Sequence, residues 1–162
     1  GAKFKVKCWP SDRFASLGTA LQREKRARIT AVGTEDEKDV AKDALQGTTG
    51  LNLAGETSLP DLVELLRAAN LCITNDTGTM HLSVMVGCPT VALFATYVSP
   101  RLWFPSGKCR VALFVFVTDH YDFRDEGGPH ESLLAIEVED VMAAAESLLA
   151  DASCVIPQGA GG

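Results

Sequence analysis

Apolar and polar positions along this chain switch between a helical and a strand-like period, and the switches mark its elements. Phe14, Leu17 and Leu21 share one helical face behind Ser11, which is suited to cap the helix start. Residues 27–32 read as a strand. Gly33, Thr34 and Glu35 turn it into a second helix through a capping box, with Thr34 at the N-cap and Glu37 three residues on. Val40, Ala41, Ala44 and Leu45 are the stripe that helix should bury.

Residues 50–54 read as a short strand. Ser58 then caps a helix with Asp61 at N3 and Pro60 inside the first turn, where no N–H is needed, so that Leu62, Leu65, Leu66 and Ala69 face inward. Residues 71–74 are apolar or β-branched and form the next strand. The turn residues Asn75, Asp76, Thr77 and Gly78 follow, then a short helix stopped by Gly87 and Pro89, and then a strand over 90–94. Residues 110–117 are a strongly apolar strand, 118–131 a polar loop. Val138, Val141, Met142, Ala145, Leu148 and Leu149 define a terminal helix over 138–150. Strand and helix alternate without internal repeats, which predicts an α/β domain with a mainly parallel, Rossmann-like sheet and helices on both faces. The domain should span 1–151, with 152–162 as a flexible tail.

At 162 residues, 46% of them hydrophobic and 22% charged, the chain is long and apolar enough for one domain with a proper core. Its formal charge of −6 argues against non-specific binding to nucleic acid or anionic lipid, and no nucleic-acid partner is expected. An anionic ligand needs a local basic patch, and Lys3, Lys5 and Lys7 supply one, although a solvated loop carries the same residues. No apolar run approaches the roughly 20 residues of a membrane span. The five cysteines are odd in number and widely spaced, and reduced thiols are expected. His120 and His130 lie among carboxylates without ligand spacing, so no metal is expected.

The strand, turn and helix around Gly78 carry the chemistry. Such a turn aims the unpaired N–H groups of the helix start at the carboxyl end of the sheet, and Gly78 has no side chain to keep a ligand away. Phosphate is the natural guest. Asp76 or Thr77 can equally serve as a plain N-cap. Glu35, at the carboxyl end of a strand, is placed to accept hydrogen bonds from ribose hydroxyls, whereas Asp36 and Glu37 complement a helix dipole.

The run Asn75-Asp76-Thr77-Gly78, continuing through Met80, His81 and Leu82, with Val91 to Phe94 beyond, resembles the donor-binding half of the ADP-heptose:lipopolysaccharide heptosyltransferases, glycosyltransferase family 9. Those proteins carry an Asp-x-Gly-x-x-His signature after a strand. Gly1-Ala2 and Lys7-Cys8-Trp9-Pro10 match the family's opening turn and Lys-x-Trp-Pro segment, and Gly55 to Leu59 its Gly-x-Thr-Ser-Leu segment. The resemblance runs from Gly1 to about Leu149. The loop after Phe94 departs: Pro100 and Trp103 match, while the family's Gly and Asp are absent, so the sugar is not specified.

The resemblance implies the second half of a two-domain GT-B enzyme that transfers heptose from ADP-heptose to the lipopolysaccharide core with inversion. Lys7, with Lys3 as a second candidate, would bind donor phosphate together with the N–H groups from Thr77 to Met80. Glu35 would lie near the nucleoside, and Thr57 and Ser58 beside the adenine. Asp76 suits a sugar hydroxyl, and His81 either contacts the donor or braces the turn. No cofactor is implied, the nucleotide sugar being a substrate. The general base is expected in a preceding domain, so no catalytic residue is assigned in this chain, which is expected to be inactive alone. The acceptor would be reached through that domain, with the full enzyme cytoplasmic and peripheral at the inner face of the inner membrane. Two other classes stay open: a GT-B sugar-nucleotide epimerase or hydrolase, and a non-catalytic nucleotide-binding module. ADP-sugars against UDP-sugars discriminate the first, and the presence of an upstream acceptor domain the second.

Overall fold

The computed structural model describes residues 5–95, 109–113 and 131–154. A 3-10 turn, Lys5–Lys7, leads into α1 (Ser11–Lys25). There follow β1 (Thr30–Ala31), a 3-10 turn (Glu35–Glu37), α2 (Lys38–Ala44), β2 (Leu51–Asn52) and α3 (Leu59–Ala68). Then come β3 (Cys72–Asn75), α4 (Gly78–Met85), β4 (Thr90–Leu93) and β5 (Arg110–Leu113), followed by a short α5 (Glu131–Leu134) and α6 (Val138–Ala150). The expected α/β alternation is present, and every strand pairing is parallel: β1 with β2, and β3-β4-β5 in that order.

β4 shows how one strand organises two layers. Its four residues are all buried. Val91 and Leu93 join the larger core with Trp9, Leu17, Leu21 and the inner face of α6, namely Val141, Ala144, Ala145 and Leu148. Ala92, with Phe94 just beyond, turns to the other side against Met80 of α4. This is the period-two alternation of a strand covered on both faces. The hydroxyls of Ser83 and Thr90, both fully buried, meet at 2.9 Å, and Ser83 donates to the Met80 carbonyl at 2.7 Å, so docking α4 on β4 leaves these polar groups satisfied.

Several expectations are adjusted. The β1–β2 ladder is short, yet its hydrogen bonds run on from Ile29 to Gly33, so the expected strand is present as extended backbone. Val40 is 52% exposed and Ala41 is the buried residue of α2; in α3 it is Leu66, with Leu62, Leu65 and Ala69 half-buried. Pro10, not Ser11, sits at the N-cap of α1. The capping boxes at Thr34 and Ser58 form as expected.

The expectation of five reduced thiols is overturned. Cys109 and Cys154 form a disulfide with their Cα atoms 5.3 Å apart, while Cys8, Cys72 and Cys88 remain thiols. A helix that covers a strand runs back along it, so the end of α6 returns to where β5 begins. Sequence spacing alone hides that proximity. Residues 114–117 of the expected strand, the loop holding His120 and His130, and residues 155–162 of the expected tail lie outside the described residues.

Candidate functional site

α4 starts without the usual protection. Its N-cap, Thr77, makes no side-chain capping bond, and its first turn has no acidic residue, where α1, α2, α3 and α6 each have at least one. The Met80 N–H donates to the Thr77 carbonyl at 3.1 Å, while among the described residues the N–H groups of Gly78 and Thr79 meet no acceptor. A Cβ at Gly78 would have nothing within 4 Å. Two adjacent N–H donors at a positive helix end, opening onto empty space, are suited to an anion.

Lys7 stands beside this opening. Its ammonium lies 3.4 Å from Asp76 Oδ2, both side chains being mostly buried. Asp76 follows directly on β3, and Thr74 and Thr77 bracket it with hydroxyls 3.3 Å apart. The segment that delivers Lys7 is gripped at Trp9, 2% exposed. The Trp9 backbone N–H donates to Asn75 Oδ1 at 2.9 Å, its indole N–H donates to the Ile136 carbonyl at 2.9 Å, and its ring meets Phe14 edge-on with centroids 4.9 Å apart. Arg13 bonds the carbonyls of Leu134 and Ile136 at 2.7 and 2.6 Å from the same side.

A second group forms where β1 and β2 end. Glu35 pairs with Lys38 at 2.9 Å, and Lys38 also reaches Glu56 at 3.0 Å. The Glu35 carboxylate lies where a Cβ on Gly55 would be, and Gly55 has φ +74°, so only glycine fits there without strain. Thr57 is half-buried. The Ser58 hydroxyl is used locally: it donates to Asp61 Oδ2 at 2.5 Å and accepts from the Asp61 N–H at 3.3 Å.

The structure therefore brings Lys7, Asp76, Thr77, Gly78 and Thr79 together and places Glu35 against Gly55, with Thr57 two residues further along the chain. The Met80 side chain is buried in the core and its N–H is occupied, so it offers a ligand neither. His81 lies half-buried one turn into α4. Lys3 lies outside the described residues. Sequence reasoning missed Asn75 and Arg13, because an amide in a turn and an arginine on a helix have no local sign of partners 66 and 121 residues away.

A parallel α/β domain with an open helix start at the carboxyl end of its sheet belongs to the Rossmann-like class of folds, in which such a turn is suited to a phosphate. The chain belongs to glycosyltransferase family 9 (heptosyltransferase), whose model matches residues 1–124. It is 31% identical over 162 residues to lipopolysaccharide heptosyltransferase 2 of Salmonella typhimurium, covering 93% of this chain and 45% of that protein. It is 29% identical over 160 residues to lipooligosaccharide heptosyltransferase 2 of Haemophilus influenzae, covering 93% and 46%. Among solved structures, E. coli ADP-heptose lps heptosyltransferase II superposes with a TM-score of 0.79 at 26% identity, over 92% of this chain and 44% of that one. A family 9 glycosyltransferase from Veillonella parvula gives 0.77 at 27%, over 92% and 44%. The chain thus spans a little under half the length of these relatives.

Proposed function

We infer that this chain is the donor-binding half of an inverting GT-B glycosyltransferase, and that it holds ADP-heptose while a facing domain presents the lipopolysaccharide core. The observation that carries this reading is the open start of α4 at Gly78 with Lys7 beside it, in a member of this family. Departure of the sugar leaves negative charge growing on the diphosphate. The N–H groups of Gly78 and Thr79 are fixed by the helix start, and the Lys7 ammonium is brought beside them, to stabilise that charge without a metal. Asp76 would repel phosphate, so its role is to hold Lys7 in the empty site and to accept a sugar hydroxyl when donor is bound. Glu35 is assigned to the ribose and Thr57 to the adenine edge, whereas Ser58 serves as a cap. Among the described residues no helix is long and apolar enough to cross a membrane. The reading places the whole enzyme in the cytoplasm, peripheral to the membrane that carries its acceptor.

Amide NMR during titration with ADP tests it. Resonances near Gly78 and Gly33 should move with ADP and far less with UDP. If ADP left both regions unmoved while UDP shifted them, the ADP assignment would be wrong.

A further inference from the structure

Asn75 and Asp76 are neighbours at the end of β3, and they hold one segment at two points. Asp76 takes the tip of Lys7. Asn75, 6% exposed, takes the backbone two residues further on, through a buried bond to the Trp9 N–H at 2.9 Å. A backbone N–H can only donate, so it must meet the amide oxygen of Asn75 and not its nitrogen. The other ties of Trp9 run to Ile136 and Phe14 and fix it against the helical side of the core, not against the start of α4. A lysine ammonium rides on a flexible four-carbon stem, and a part-exposed carboxylate restrains it only weakly. Where the stem begins therefore matters more than the ion pair at its end.

We propose that Asn75 is a positioning residue for the phosphate site: by holding the Trp9 N–H it sets the backbone from which Lys7 reaches the N–H groups of Gly78 and Thr79. The proposal rests on the donor-phosphate reading above. It separates Asn75 from the adjacent Asp76 by role, since one acts on the backbone and the other on the charge.

The first test needs no ligand. The Lys7 13Cε–1Hε resonance of Asn75→Ala should move from its wild-type position toward that of Asp76→Ala, in which the ion pair is removed outright. A resonance that stays in place overturns the proposal. The second test is calorimetric titration with ADP and with adenosine, which lacks the phosphates. Asn75→Ala should weaken ADP about tenfold and leave adenosine unchanged, and it should add nothing in a Lys7→Ala background. Equal losses for ADP and adenosine, or effects that simply add to those of Lys7→Ala, would assign Asn75 to fold maintenance and overturn the proposal. If Asn75→Ala does not fold, Asn75→Ser, whose acceptor is too short for Trp9, takes its place in both tests. Wild-type protein that bound no ADP would defeat the donor reading, while the Lys7 resonance would still decide the role of Asn75.

Discussion

Asp76 and a phosphate compete for Lys7, and magnitudes choose between them. The Lys7–Asp76 pair at 3.4 Å is longer than the roughly 2.7–2.9 Å of a well-made charge-assisted hydrogen bond, whereas such a bond to phosphate contributes about 1.5–3 kcal/mol. Phosphate wins, so Lys7→Ala should weaken ADP binding by about ten- to a hundredfold, measured calorimetrically. A loss that vanished at moderate salt would reveal only diffuse attraction. The cysteines give a pH test. Burial pushes the Cys72 thiol up to about 11 against a lowering hydrogen bond from Ser83, and burial with repulsion from Cys72 pushes Cys88 up to about 12. Folding therefore favours the protonated thiols, a contribution fully present below their ordinary value of 9.0 and lost as pH rises toward 11 and 12. Native protein at pH 8 should alkylate at neither residue, and its melting temperature should fall above pH 9; fast alkylation of Cys88 at pH 8 would contradict this. At this scale the turn from Asp76 to Gly78 was legible because a short spacing carries its chemistry, while Lys7, 69 residues from Asp76, was singled out only through the resemblance of its Lys-x-Trp-Pro segment. Asn75 was not legible, because its chemistry depends on a partner that only folding supplies.

The start of α4 is the element on which the site depends, and one methyl group can separate its stability from its function. A Cβ at Gly78 meets no atom of the described residues, and alanine suits a helix better than glycine by about 1 kcal/mol in helix interiors. Gly78→Ala should therefore leave denaturant stability unchanged or slightly higher while ADP affinity falls at least about tenfold, since the methyl group occupies the space a phosphate would take. Unchanged ADP affinity in a stable Gly78→Ala protein would place the phosphate elsewhere. The ends of α3 and α6 could be read from sequence because caps are local chemistry: Ser58 with Asp61 is written within four residues, and α6 starts and stops where its apolar spacing does. The buried faces were less legible. Helical spacing marks Val40 and Leu149 as inward, but they are 52% and 39% exposed, because the neighbouring Ala41 and Leu148 are the residues these helices turn toward their partners.

At the scale of the whole molecule, the Cys109–Cys154 disulfide closes a loop of sequence separation 45 and ties α6 to β5. Loop-closure entropy assigns it about 4 kcal/mol. Urea unfolding with and without reductant should show a lower midpoint when reduced, and thiol titration of the unfolded protein should count three thiols before reduction and five after. Five before reduction would remove the link. The parallel α/β order was legible from alternating periods, whereas this link was not, since nothing near either cysteine records where α6 ends.

The last prediction concerns what these residues cannot do alone. An inverting transfer needs a base opposite the leaving group, and general-base catalysis is worth about a hundred- to ten-thousandfold. Several carboxylates described near the site are engaged: Asp76 by Lys7, Glu35 and Glu56 by Lys38, and Asp61 by the cap at Ser58. Asp140 likewise accepts the Glu137 N–H at the start of α6. A facing domain would also supply acceptor positioning and water exclusion, so its absence should cost more than the base alone. This chain should therefore bind ADP-heptose without transferring it, and turnover should appear in a protein of the relatives' full length, more than twice the span matched here. The measurement is product formation from ADP-heptose and a lipopolysaccharide core acceptor under matched conditions. Comparable rates from the two would put the base within these 162 residues and overturn the half-enzyme reading.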